Sequence, residues 1–158
     1  MTTNNSIIWC EDMATGVDVI DSQHQNLLQM VNDAYKGLDE EFSEVVFQRI
    51  TKELLSYAIY HFQTEEHLMK EYGYFEECPE DATQHVEEHR SFSAKVVSAR
   101  DSVNSEVKEE MVQILEFLNS WIVNHTQNVD LKLGEFIRMK DKQGVYEGPS
   151  GPCGKFTN

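Results

Sequence analysis

Four separate stretches of this 158-residue chain repeat apolar residues at helical spacing, and this periodicity restricts the fold more than any other feature. They cover residues 22–38, 43–73, 82–103 and 105–125. Gly37 and Gly73 lie at the ends of the first two as stop signals, and Ser43 is a good N-cap for the second. Long amphipathic helices with short connections favour an all-α fold, an antiparallel up-down-up-down four-helix bundle.

The two ends of the chain fall outside this pattern. Residues 1–20 read as an extended N-terminal arm, in which Trp9 is expected to cover an open end of the core. Residues 131–140 predict a short C-terminal helix, whereas residues 141–158 are rich in Gly, Pro and Lys and lack periodicity. The predicted organisation is therefore a bundle domain over residues 1–140, followed by a flexible tail over 141–158.

Composition excludes several classes of partner. The chain has 28 acidic and 13 basic residues, and its formal charge of −15 repels nucleic acid and anionic membrane surfaces. No apolar run approaches the roughly 20 residues that a membrane span needs, and no signal peptide is recognisable, so a cytoplasmic location is expected. Cys10, Cys78 and Cys153 lack C-x-x-C spacing and are predicted to be free thiols.

Polar residues with metal-binding side chains interrupt the apolar stripes. His61 and Glu65, like His85 and His89, are four positions apart, so each pair lies on one helix face. Burying such groups without partners costs roughly 1–3 kcal/mol each, which a shared metal site would offset. Inward faces of four helices then supply seven predicted metal ligands: His24, His61, Glu65, His85, His89, His125 and Asp130.

The spacing from His125 to Asp130 does not fit a regular helix. Five steps separate the two side chains by about 140° around the axis. A π-bulge would bring the carboxylate inward, and so would an end of the helix just after His125 with Asp130 on the following turn.

The number of ligands favours two metals over one. Seven ligands are too many for one tetrahedral zinc. Five imidazole nitrogens, four carboxylate oxygens and a bridging oxide or hydroxide fill about eleven of the twelve positions around two octahedral metals. The open position suits a small ligand such as O₂. The site also has few carboxylates and lacks the Glu-x-x-His pairs of ferritin-like di-iron enzymes, which favours oxygen binding over oxygen activation.

These residues resemble the hemerythrin family, and in particular its single-domain bacterial members, the bacteriohemerythrins. The likeness covers about residues 7–140 and includes all seven ligand positions. It rests on Trp9, GVDVIDSQHQ at 16–25, HFQTEEHLM at 61–69, His85-x-x-x-His89 with Phe92, and WIVNHTQNVD at 121–130.

The resemblance implies a non-haem di-iron centre with an oxo or hydroxo bridge. It implies that Glu65 and Asp130 bridge the irons, and that O₂ binds at the iron held by His24 and His61. The other iron would be held by His85, His89 and His125. Candidates for a dry pocket lining are Leu28, Phe62, Phe92, Trp121, Ile122 and Val123. Thr126 departs from the family, in which an aliphatic residue is usual at this position, and would promote autoxidation if it borders the pocket.

Reversible O₂ binding is therefore the expected function, for oxygen storage or delivery to oxygen-requiring enzymes. One alternative is an oxygen or redox sensor that acts through a partner protein. Another is a di-iron peroxidase or nitric oxide-detoxifying enzyme. The sequence offers no acid or base beyond the ligands that can be placed in the pocket, so the chain is not expected to be an enzyme.

Overall fold

The computed structural model of this chain describes residues 6–38, 44–101 and 107–143. These residues are helical apart from short connections and the N-terminal arm, so the all-α class is confirmed. One 3₁₀ turn at Glu11–Met13 precedes the helices, and a π-helical segment at Thr126–Asp130 joins the last two. The helices are α1 (Asp18–Gly37), α2 (Glu44–Tyr72), α3 (Tyr74–Glu77), α4 (Pro79–Asp101), α5 (Val107–His125) and α6 (Leu131–Gln143).

The four long helices α1, α2, α4 and α5 pack as a bundle. Helix α1 contacts α2 and α5, and α4 contacts the same two helices from the other side. Each therefore lies between two neighbours and turns its apolar stripe towards a shared interior. Among the described helices, none is long and apolar enough to cross a membrane.

Buried apolar side chains form two clusters. The larger one, here called the main core, includes Leu27, Leu54, Phe92, Leu115 and Leu118. The smaller one, here called the end core, gathers residues of α3 and α6 with one residue or more from each of α1, α2 and α4, including Ile20, Met69, Ala82 and Leu133. Along α1, His24 falls between Ile20 and Leu27. The predicted ligands thus occupy a polar layer between the two clusters.

The start of α1 is fixed by a carboxylate on its first turn. Asp21 accepts hydrogen bonds from the backbone N–H groups of Thr15 at 2.8 Å and Gly16 at 3.1 Å. Gly16 has a φ of 80°, which a residue with a side chain rarely adopts. The helix begins at Asp18, four residues before the predicted Ser22.

Trp9 of the N-terminal arm packs against the bundle. Its indole is partly buried against the main core. The backbone N–H and C=O of Ile7 pair with the side chain of Asn32 on α1, at 3.0 and 2.9 Å. Further along, a Cβ on Gly134 would lie 2.6 Å from the carbonyl oxygen of Thr15, so arm and α6 meet backbone to backbone.

The C-terminal helix and the cysteines differ in part from the sequence predictions. Helix α6 confirms the short C-terminal helix but continues to Gln143, three residues past the predicted boundary. The flexible tail predicted for 141–158 is therefore wrong for residues 141–143, and residues 144–158, with Cys153, lie outside the described residues. Cys10 is free, as predicted, whereas Cys78 is disulfide-bonded, which corrects its prediction as a free thiol.

Candidate metal centre

All seven predicted ligands are buried and lie together. Their side chains are between 0% and 3% exposed, in the layer between the main core and the end core. Two groups of donor atoms result, in each of which the atoms lie within 4.8 Å of one another. One group contains three histidines, the other contains two, and both contain Glu65 and Asp130.

The three-histidine group consists of His85, His89 and His125. The Nε2 atom of His85 lies 3.2 Å from Glu65 Oε2 and 3.0 Å from Asp130 Oδ1. His89 Nε2 lies 3.0 Å from the same Glu65 oxygen. His125 Nε2 lies 2.9 Å from the same Asp130 oxygen. One oxygen of each carboxylate thus faces this group.

The two-histidine group uses the other oxygen of each carboxylate. The Nε2 atoms of His24 and His61 are 3.1 Å apart. His24 Nε2 lies 2.9 Å from Asp130 Oδ2, and His61 Nε2 lies 3.4 Å from Glu65 Oε1. Both carboxylates therefore lie between the groups with one oxygen towards each, which is the arrangement of bridging ligands.

The donor set fits bound metal ions better than a hydrogen-bond network. Donors about 2.0–2.2 Å from one metal and at right angles to each other are roughly 3 Å apart, as these atoms are. At several of these atoms the close approach does not have hydrogen-bond geometry. Among the described residues, no hydrogen-bond partner is found for His89 Nε2, His125 Nε2, Glu65 Oε1 or either oxygen of Asp130. Buried polar atoms of this kind need a partner, and a cation supplies one.

Protonation at two of the ligands agrees with metal binding. Burial opposes ionisation of Asp130, but the adjacent imidazoles of His125, His24 and His85 hold the pKa of Asp130 well below its usual value. Burial lowers the pKa of His61 to about 4, so this imidazole is neutral at physiological pH. A carboxylate anion and a neutral imidazole are the forms that bind metals.

Residues behind the ligands orient three of the imidazole rings. His61 Nδ1 donates to Gln23 Oε1 at 2.8 Å. His89 Nδ1 donates to Glu66 Oε1 at 3.1 Å, and His125 Nδ1 donates to Glu88 Oε2 at 2.6 Å. A proton on Nδ1 leaves the lone pair on Nε2, which faces the cluster.

These three acceptors were not predicted from the sequence. The available signal was position, because Gln23 precedes a ligand, Glu66 follows one, and Glu88 precedes one. Adjacency does not identify an acceptor, however, since neighbours on a helix point about 100° apart. Each acceptor serves a histidine on another helix, and only the packed bundle shows which one.

The awkward spacing between His125 and Asp130 is resolved by π-helix. Thr126–Asp130 forms the wider turn, so the first of the two predicted alternatives is confirmed. The extra residue lets both side chains reach the cluster. Asn128 Nδ2 donates to the carbonyl oxygen of Asn124 at 2.7 Å across this turn. Thr126 is 1% exposed and lies directly after the ligand.

Aromatic side chains pack directly on the three-histidine group. Phe62 stacks on His89 with ring centroids 3.9 Å apart, and Trp121 stacks on His125 at 4.2 Å. Phe92 lies 4.4 Å from Trp121. Leu28 and Ile122 are buried and Val123 is half-buried. Two of the six predicted lining residues, Phe62 and Trp121, thus pack on histidines of the three-histidine group.

Fold and cluster together define a class, the helical proteins that bind metal through histidines and carboxylates on the inner faces of a bundle. The model of the hemerythrin HHE cation binding domain matches residues 15–137, and the chain belongs to the hemerythrin family.

Similar proteins carry names from that family. A bacteriohemerythrin of Pseudomonas aeruginosa (strain LESB58) is 29% identical over 149 residues, covering 92% of this chain and 90% of the relative. A bacteriohemerythrin of Clostridium acetobutylicum is 29% identical over 127 residues, covering 78% and 95%. A hemerythrin-like protein of Naegleria gruberi is 26% identical over 124 residues, covering 78% and 87%. No solved structure gives a significant match.

Proposed function

We propose that this chain binds O₂ reversibly at a non-haem di-iron centre, in an antiparallel up-down-up-down bundle. The observation that carries the proposal is the division of the two carboxylates, each with one oxygen towards three histidines and the other towards two. Such a set serves two metals and leaves the two-histidine metal with fewer protein ligands. A bound iron pair supplies reversible electron transfer to O₂.

The chain's own residues have three tasks in this proposal. His85, His89 and His125 hold one iron, while His24 and His61 hold the iron with the open position. Glu65 and Asp130 bridge the pair. The burial of all seven side chains excludes bulk water, which would promote loss of the oxygenated form. Leu28, Phe62, Phe92, Trp121, Ile122 and Val123 are the proposed apolar surroundings.

The physiological role that we propose is oxygen storage, or delivery to oxygen-requiring enzymes in the cytoplasm. The formal charge of −15 makes nucleic acid and anionic membranes unsuitable partners. The domain that carries the function is proposed to be residues 1–140.

The test is iron content together with an optical spectrum of the reduced protein, exposed to O₂ and then degassed. Two irons per chain and a charge-transfer band that appears with O₂ and disappears on degassing are expected. His61→Leu removes a ligand and should abolish the band. The matched control is His67→Leu, because the His67 side chain is 78% exposed on the same helix and should leave the band unchanged.

Other results would favour the alternatives. Steady-state consumption of peroxide or nitric oxide far above that of free iron would indicate an enzyme. A protein partner bound only in one oxidation state would indicate a sensor. Absence of iron from the purified protein would contradict the proposed function altogether.

A further inference from the structure

The two metal-ligand groups differ in the charge of the residues behind them. In the three-histidine group, His125 and His89 donate from Nδ1 to carboxylates, Glu88 and Glu66. In the two-histidine group, His61 donates to the neutral amide of Gln23, and no hydrogen-bond partner for His24 Nδ1 is found among the described residues. Two carboxylate anions therefore accept hydrogen bonds from the three-histidine group. None of the described hydrogen-bond acceptors of the two-histidine group is charged.

Glu88 is held in place by its own helix. Its Oε2 accepts from His125 Nδ1 at 2.6 Å, while its Oε1 accepts from Gln84 Nε2 at 3.1 Å, one turn earlier on α4. This carboxylate connects α4 to the last residue of α5 and fixes the His125 ring.

Glu66 makes the equivalent contact from α2. Its Oε1 lies 3.1 Å from His89 Nδ1 on α4, and its side chain is 31% exposed, close to the 32% of Glu88. Both carboxylates thus sit at the margin of the layer, partly hydrated, with the histidine between carboxylate and cluster. A carboxylate at this position makes the imidazole a stronger donor to a metal and stabilises higher positive charge there.

We propose that Glu66 and Glu88 are positioning residues that make the three-histidine metal the more tightly held and the more easily oxidised of the pair. The proposal rests on the proposed function only in that two irons occupy the cluster. With an iron pair bound, an electron taken by an added one-electron oxidant such as ferricyanide would come from the iron held by His85, His89 and His125. The oxidant is reduced, the charge of the pair rises by one, and each Nδ1 proton stays in its hydrogen bond to the carboxylate.

Glutamine variants separate charge from orientation. Glu88→Gln and Glu66→Gln keep an amide oxygen to accept from the histidine but lose the negative charge. Each should raise the midpoint potential of the iron pair, and each should accelerate chelator-driven iron release from one site by about 10- to 100-fold. The matched control is Glu87→Gln, which removes one charge from an exposed position on α4, the helix of Glu88.

The reverse variant places a charge behind the other group. Gln23→Glu gives His61 a carboxylate partner and should lower the midpoint potential. Mössbauer spectra of the ⁵⁷Fe-loaded reduced protein report which iron changes. Glu66→Gln and Glu88→Gln should shift the same quadrupole doublet, and Gln23→Glu should shift the other.

Potentials and release rates equal to those of Glu87→Gln would overturn this inference, as would one doublet that responds to all three variants. A protein that holds two irons but does not bind O₂ reversibly would contradict the proposed function and leave the inference standing. Unchanged midpoint potentials in a protein that does bind O₂ reversibly would overturn the inference and leave the proposed function standing. A protein without metal would overturn both.

Discussion

The main core and the polar layer both consist of buried positions on inward helix faces, but burial has opposite effects on stability in the two. Leu115 in the main core and Glu65 in the layer are both fully buried on inward helix faces. Burial of Leu115 stabilises the fold by itself, at about 25 cal/mol per Å² of apolar surface. Burial of Glu65 costs free energy until a cation compensates it. The bundle is thus held by packing in one region and by ligand binding in the other.

Removal of the metal should have the largest effect on stability, and this effect should arise in the polar layer and not in the main core. Binding to the folded state stabilises it by roughly 4 kcal/mol when free metal is 1,000-fold above its dissociation constant. Stripping the reduced protein with a chelator should therefore lower the melting temperature clearly, because the layer loses its compensation while the main core is unchanged. Thermal unfolding followed by circular dichroism measures this. An unchanged melting temperature would mean that protein contacts alone satisfy the layer.

Truncation in the main core should have the converse effect. Leu115→Ala is expected to reduce the free energy of unfolding by roughly 2–5 kcal/mol, because it leaves a cavity at a fully buried position. Iron content should stay the same, since Leu115 is not a ligand. Denaturant unfolding and iron analysis of the same sample test both parts. Loss of iron would show that metal binding in the polar layer depends on packing in the main core.

Thr126 tests the boundary of the layer. Its buried hydroxyl directly follows His125, and we expect Thr126→Ile to slow autoxidation by about 2- to 10-fold, the equivalent of one hydrogen bond of 0.5–1.5 kcal/mol. Decay of the oxygenated spectrum gives the rate. Thr51→Val is the control, because Thr51 is also buried but lies about 15 Å from His61 along α2. An equal rate in Thr126→Ile and the wild type would remove Thr126 from the pocket.

A surface ion pair should matter least. Lys132 on α6 lies 3.3 Å from Asp81 on α4, and its side chain is 48% exposed. Because water screens such pairs, Lys132→Ala should change the free energy of unfolding by less than about 1 kcal/mol and leave iron content unaltered. A larger loss, seen in denaturant unfolding, would show that the position of α6 depends on this contact.

The sequence predicted well wherever one helix determines the geometry. The pairs His61 with Glu65 and His85 with His89 follow from four-residue spacing, and the π-helix was one of the two alternatives that the misfit between His125 and Asp130 predicted. Contacts between helices were not predictable in this way. Glu88 bonds to a histidine 37 positions away, and the sequence alone does not give the rotation of one helix against the next.

The prediction was also weaker at the helix ends. The first turn of α1 extends to Asp18 because Asp21 reaches back to the arm, a local contact that periodicity does not reveal. The short helix α3 after Gly73 was missed as well, because four residues are too few to show a period. Its Tyr74 is nevertheless buried in the end core.

The π-helical segment makes α5 and α6 one uninterrupted rod from Val107 to Gln143. Asp130 reaches the cluster because the π-helical turn inserts one residue between it and His125. A His and an Asp only four positions apart would share a face of an ordinary α-helix, so the same two ligands could also be placed without the inserted residue. A pattern search written with fixed spacing would accept one version and overlook the other. Searches for comparable sites should therefore allow the carboxylate to lie four or five positions after the final histidine.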